Sequence, residues 1–215
     1  MNIVGDYHGA GYAHLKGLIP RALAQEFLAQ LRLDIDRHKI PLKALVRPAG
    51  ILPKPTIDID CRQNRQLETF LWGLTPTMAA LTGRELLPTY SYFRVYQKGD
   101  LCLVHSDREA CEHSLSLTLG YSDEETWPLE LGNEWVTGNE AIASTFGDHP
   151  FTPIAMQPGD AVLYQGVHYR HGRTQPNPNR WSAHLFLHWV DSTGPHASEA
   201  FVGRPAQAAV DFTLS

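Results

Sequence analysis

Apolar residues recur with two different periods along this chain, and the period changes near residue 88. Before that point the spacing is helical. In "GYAHLKGLIPRALAQEFLAQLRLDIDRH" a short strand turns at Pro20 into a helix, with Leu23, Phe27, Leu31 and Ile35 recurring every four residues beside Ala24 and Leu28. "LVRPAGILPKPTIDID" is proline-rich and reads as extended chain or an edge strand. "RQLETFLWGLTPTMAALTG" predicts a second helix, interrupted near Pro76 and stopped by Gly83. From Pro88 onward the segments are short, alternating, and β-branched or aromatic: "TYSYFRVYQKGDLCLVHSD", "HSLSLTLGYS", "WPLELG", "DAVLYQG" and "RWSAHLFLHWV". Turns rich in Gly, Pro and Asp separate them, so the second part is an antiparallel sandwich or barrel with the helices covering one sheet.

The organisation that follows is one domain over 1–215, with helical support over about 20–83, a β core over about 88–190 and a weakly patterned tail at 191–215. The polar insertion at 133–151 is long enough to be a lid or a surface connector. A net charge of −5 gives no reason to expect a nucleic acid partner. No run is apolar enough to span a bilayer, so no membrane partner is expected and a cytoplasmic location is the default. The odd cysteine count (Cys61, Cys102, Cys111), without Cys-x-x-Cys spacing, predicts free thiols in a reduced compartment.

Eight of the eleven histidines lie after residue 100, which directs attention to the β core. His105 and Asp107 are two residues apart in an alternating stretch and therefore face the same way. "PGDAVLYQGVHYRHGR" supplies His168 and His171 just after a strong strand. Two imidazoles and a carboxylate on one side of an ion leave the opposite positions open. That set suits non-haem Fe(II) handling O2, with zinc the second choice.

The chain resembles the Fe(II)- and 2-oxoglutarate-dependent dioxygenases, in their prolyl-hydroxylase-like branch. The resemblance rests on His105-Ser106-Asp107, then His171, then Arg180 nine residues on. Tyr96-x-x-Gly99, "PGDAVLY" and the opening strand and helix add to it, so that it covers most of 11–190. It implies a double-stranded β-helix (jelly-roll, cupin-like) core braced by N-terminal helices, with His105, Asp107 and His171 as catalytic iron ligands. His168 would be a rim residue, since the family spacing to arginine selects His171. It also implies Fe(II), 2-oxoglutarate as cosubstrate and O2, and hydroxylation of an unactivated C–H bond of a small molecule, amino acid or peptide side chain. Arg180 would grip the distal carboxylate of 2-oxoglutarate, a task suited to a planar guanidinium. Tyr96 or Tyr92 would hydrogen-bond it.

Strand parity extends this reading. Arg180, Ser182, His184, Phe186 and His188 share one face of the last strand, opposite Trp181, Ala183, Leu185, Leu187 and Trp189. Likewise Ser114, Ser116 and Thr118 oppose Leu115, Leu117 and Leu119. The polar faces are expected to line the interior, which adds Thr118 and Ser182 to the cosubstrate candidates. A non-catalytic metal- or ligand-binding jelly roll (a sensor) is the alternative function. A nucleic-acid demethylase of the same superfamily is disfavoured because Arg-x-Asn-x-x-x-Arg is missing after the distal histidine.

Overall fold

Pro20, whose fixed φ and missing N–H cost nothing at a helix start, opens the main helix. A computed structural model of the protein describes residues 1–201 and 212–213. The last part of the expected tail, 202–211 and 214–215, therefore lies outside the described residues. In chain order the elements are β1 (Asn2–Asp6), α1 (Tyr7–Ala10), β2 (Tyr12–Lys16), α2 (Arg21–Arg37), β3 (Val46–Arg47), β4 (Thr56–Asp60) and α3 (Arg65–Thr82). There follow β5 (Leu86–Gln97), β6 (Cys102–His105), β7 (His113–Tyr121), β8 (Leu129–Trp135), β9 (Phe151–Ile154), β10 (Ala161–Tyr164), β11 (Tyr169–Arg173) and β12 (Trp181–Asp191).

The strands form two antiparallel sheets, ordered β1-β2-β10-β7-β12-β5-β4-β3 and β6-β11-β8-β9. From β5 to β12 the chain crosses repeatedly between them, giving a mainly β jelly roll with α2 and α3 on the outer face of the larger sheet. Leu115, Leu117 and Leu119 of β7, and Ala183, Leu185, Leu187 and Trp189 of β12, meet Leu31, Leu67, Leu71 and Met78 of the helices. The opposite rows, Ser114, Ser116 and Thr118 with Ser182, His184, Phe186 and His188, are equally buried between the sheets. Two polar rows enclosed in a protein interior are the anomaly that the site must explain.

Three local expectations change. Leu23 is exposed, because residues four apart drift by about 40° each step on a 3.6-residue helix; Ala24, Leu31 and Ile35 hold the buried face. Pro76 does not interrupt α3, which runs unbroken from its Asn64 cap to Gly83 in the left-handed region (φ 63°). The N-terminal residues add a strand, β1, that the pattern did not predict. Among the described residues no helix is long and apolar enough to cross a membrane. The three cysteines are free and buried.

β4 is held to β5 by more than its ladder. Arg94, buried on β5, donates from Nε and Nη2 to the two carboxylate oxygens of Asp58 opposite it, at 2.8 and 2.6 Å. Asp58→Ala strands that guanidinium, and urea unfolding is expected to show a loss of about 3–5 kcal/mol. The double variant Asp58→Leu/Arg94→Met should recover most of it.

Candidate metal centre

The centre grows from one register. β6 runs antiparallel to β11 with His105 directly opposite His171, and their rings lie 4.3 Å apart. Past the end of β6 the chain carries Asp107 over the pair, its N–H donating to the Gly166 carbonyl at 2.8 Å. One carboxylate oxygen then lies 3.6 Å from Nε2 of His105 and 3.5 Å from Nε2 of His171. These three donor atoms converge within 4.8 Å.

Each imidazole is aimed by its own strand. Nδ1 of His105 lies 2.7 Å from the Leu103 carbonyl, and Nδ1 of His171 lies 3.0 Å from that of Tyr169, both two residues back. A carbonyl can only accept, so Nδ1 carries the proton and Nε2 keeps its lone pair when the ring is neutral. The second oxygen of Asp107 accepts from the Ser114 hydroxyl at 3.1 Å, and Ser114 lies 2.8 Å from Nδ1 of His188. Burial pushes His188 down to about 4 despite the nearby Asp107 charge, so the ring is neutral and its Nδ1–H donates to Ser114. The serine hydrogen is thereby left for Asp107 or for the Cys111 carbonyl, 3.1 Å away.

Charge within the triad is shared unequally. Burial works against the Asp107 carboxylate, but the His171 charge and hydrogen bonds from both histidines hold it well below the usual range. Burial also opposes the His171 cation, and the Asp107 charge overcomes it, raising His171. His105 is lowered by burial and by the neighbouring His171. The buried carboxylate thus favours positive charge beside it, which a divalent cation held by the three donors would supply. Cys111 and His188 also lie near Asp107. Burial keeps the Cys111 thiol protonated, and a thiol is a poor ligand in that state.

The other residues singled out from sequence divide into two groups. Tyr92, Tyr96, Thr118 and Ser182 lie between the sheets. Tyr92 stacks on Phe186 and His188, while Tyr96 meets Trp127 and His184 edge-on. Thr118 lies 3.3 Å from Nδ1 of His184, and Ser182 accepts from the Asn177 amide at 3.1 Å. Arg180 is not brought to them. Its side chain is 74% exposed and its Nε donates to Asp123 at 3.1 Å. Parity pointed it inward, but β12 begins only at Trp181, and the alternation does not bind a residue outside the ladder. His168 also stands apart, stacked on Trp135 with Nδ1 at the Val136 carbonyl. The connection 136–150 is tied to the metal strand. Ala143 exchanges two backbone hydrogen bonds with Val104, and the Glu140 N–H donates to Ser106 Oγ.

Sequence reasoning missed Ser114 as a brace for Asp107, Gly166 and Arg173. Parity alone could have found Arg173, two residues past His171 on the same face of β11. Gly166 carried no signal, since its role is one of space. A Cβ there would lie 2.4 Å from the Asp107 carboxylate oxygen and 2.7 Å from Ser114 Oγ. Gly166→Ala is therefore expected to displace Asp107 and weaken Co(II) binding roughly 10–100-fold, as loss of outer-shell support does. Absorption titration of the folded variant checks this.

No family model and no curated sequence matches the chain. Solved structures do, at low identity. The α-ketoglutarate-dependent carbocyclase SnoK from nogalamycin biosynthesis superposes with a TM-score of 0.65 at 13% identity, covering 94% of this chain and 91% of that one. A Pseudomonas putida prolyl-4-hydroxylase gives 0.57 at 16%, covering 85% and 95%. HygX from Streptomyces hygroscopicus, solved with nickel, 2-oxoglutarate and hygromycin B, gives 0.63 at 10%, covering 87% and 85%. The fold of this chain is that of the iron- and 2-oxoglutarate-dependent oxygenases.

Proposed function

We propose that this protein is an Fe(II)- and 2-oxoglutarate-dependent oxygenase that hydroxylates a polar small molecule. The observation that carries the reading is the convergence of two Nε2 lone pairs and one carboxylate on paired strands of this fold. His105, Asp107 and His171 would hold the iron. The donor set fits, with two borderline nitrogens and a hard oxygen on one side and coordination positions left open. An acidic cosubstrate also fits the interior beside it, where polar atoms of Arg173, His184 and Ser116 are buried without partners. When bound, iron and 2-oxoglutarate supply the activation of O2 and the C–H oxidation.

The chain's own residues prepare that chemistry. The Leu103 and Tyr169 carbonyls keep the imidazole protons on Nδ1, and Ser114 and Gly166 seat the carboxylate. Tyr92 stacks on both Tyr90 and His188, and the Tyr90 ring lies tilted 4.7 Å from that of His188, so aromatic faces pack beside Ser114 and Asp107. Tyr90 and Tyr92 also line a cavity of about 540 Å³ together with Arg47, Asp58, Asp60, Arg62 and Arg94. That mixed-charge lining suits a polar substrate with several hydrogen-bonding groups. Two structural neighbours were solved with small molecules bound, nogalamycin RO for SnoN and hygromycin B for HygX.

The decisive experiment loads the protein with Fe(II) and 2-oxoglutarate without oxygen, then admits O2 and measures succinate and the mass of candidate substrates. A visible charge-transfer band before oxygen and succinate after it are the expected results. Metal binding without succinate under any substrate would favour the non-catalytic sensor. Asp107→Ala is expected to lose iron by more than the roughly 100-fold upper range for outer-shell partners. Full iron occupancy in that variant, by metal analysis after desalting, would refute the ligand set.

A further inference from the structure

Arg173 is the least compensated charge in the described interior. It is 1% exposed on β11, and its Nε and Nη2 have no hydrogen-bond partner. Its surroundings are rings, with the guanidinium carbon 5.0 Å from the Trp127 centroid and 5.9 Å from that of Tyr96. No carboxylate of a described residue lies within ion-pair distance of it. The nearby candidates are committed elsewhere. Asp58 is bound to Arg94, Asp107 to the two histidines, and Glu130 accepts from Thr174. Aromatic faces attract a guanidinium, but by too little to replace its hydration. Nor can arginine lose its proton to escape the cost, as a buried lysine can. A fully buried fork with two free donors is built for an anion that arrives from outside the chain.

Position identifies that anion. Arg173 follows His171 by two residues on one strand face, so its backbone lies about 7 Å deeper along β11 than the metal ligand's. A ligand joining the two must carry a metal-chelating group at one end and a carboxylate a few carbons away. His184 faces the same space, its Nε2 buried and unpartnered and its ring kept neutral by burial and by the charges of Arg173 and Arg94. Resting on the function proposed above, we propose that Arg173, and not Arg180, holds the distal carboxylate of 2-oxoglutarate. Arg180 is committed to Asp123 at the surface, and the charge of Arg94 is matched by Asp58. The sequence spacing that suggests Arg180 is thus a spacing between backbone positions, while the carboxylate meets the guanidinium that lacks a partner.

The test is calorimetric titration of 2-oxoglutarate into the full chain loaded with Mn(II), without oxygen and without turnover. Wild type should bind, Arg180→Ala should bind equally well, and Arg173→Met should bind on the order of 100-fold more weakly. Mn(II) affinity, read by electron paramagnetic resonance, should be the same in all three. Without ligand, Arg173→Met should unfold no earlier than wild type, because it removes an unpaired buried charge, yet it should lose the thermal shift that 2-oxoglutarate gives. Unchanged 2-oxoglutarate affinity in Arg173→Met would overturn the proposal, as would its loss in Arg180→Ala alone. Should Arg173→Met unfold early, Arg173→Lys keeps the charge and loses the fork; weaker cosubstrate binding with intact Mn(II) binding supports the assignment, and unchanged binding overturns it. Failure of wild type to bind 2-oxoglutarate would instead remove the oxygenase reading, and this inference with it.

Discussion

The two-residue period of the pleat is the constraint on which everything else here rests. On β7 and β12 it divides each strand into an apolar row that takes the helices and a polar row that faces the smaller sheet. A shift of one residue in either strand would drive Ser114, His184 and His188 into the helix layer and send leucines into the space between the sheets. The apolar rows supply the stability, and the register they enforce delivers the polar rows to their places. The same period on β11 sets His171 and Arg173 on one face, so that a member of the His105–Asp107–His171 triad and an unmatched cation share a wall.

Much of this was legible in the sequence because it depends on alternation. The helix layer, the crossover from helical to strand period, and the inward rows of β7 and β12 all follow from residue spacing. The two-residue spacing draws attention to His105 and Asp107. β6 ends at His105, however, so Asp107 is seated by its N–H bond to Gly166, and the register of β6 against β11 brings His171 to them. What could not be read depends on where an element ends or on space. Arg180 obeys the parity of β12 but sits one residue before its first ladder pair, free to turn toward Asp123. Gly166 is silent in sequence because its function is the volume it leaves to Asp107. Pro76 reads as a break, yet α3 carries it without interruption.

The interior manages its positive charge in two ways. Arg94 is neutralised in place by Asp58 and serves the architecture, fastening the added β3–β4 hairpin to the jelly roll. Arg173 is left unmatched among aromatic rings, where Coulomb interactions are weakly screened. That contrast sets a cation paired within the chain apart from one that has no partner among the described residues. Burial first, and then the charges of Arg173 and Arg94, hold His184 in its neutral form.

The orientation of His105 and His171 rests on main-chain carbonyls of their own strands, Leu103 and Tyr169. Carbonyls are encoded by no codon. Side chains at 103 and 169 can drift under mutation without disturbing the tautomer of either ring, so the heritable part of the supporting shell shrinks to Ser114 and Gly166. The aim of these two rings is thus a property of the strand backbone and not of its side-chain composition.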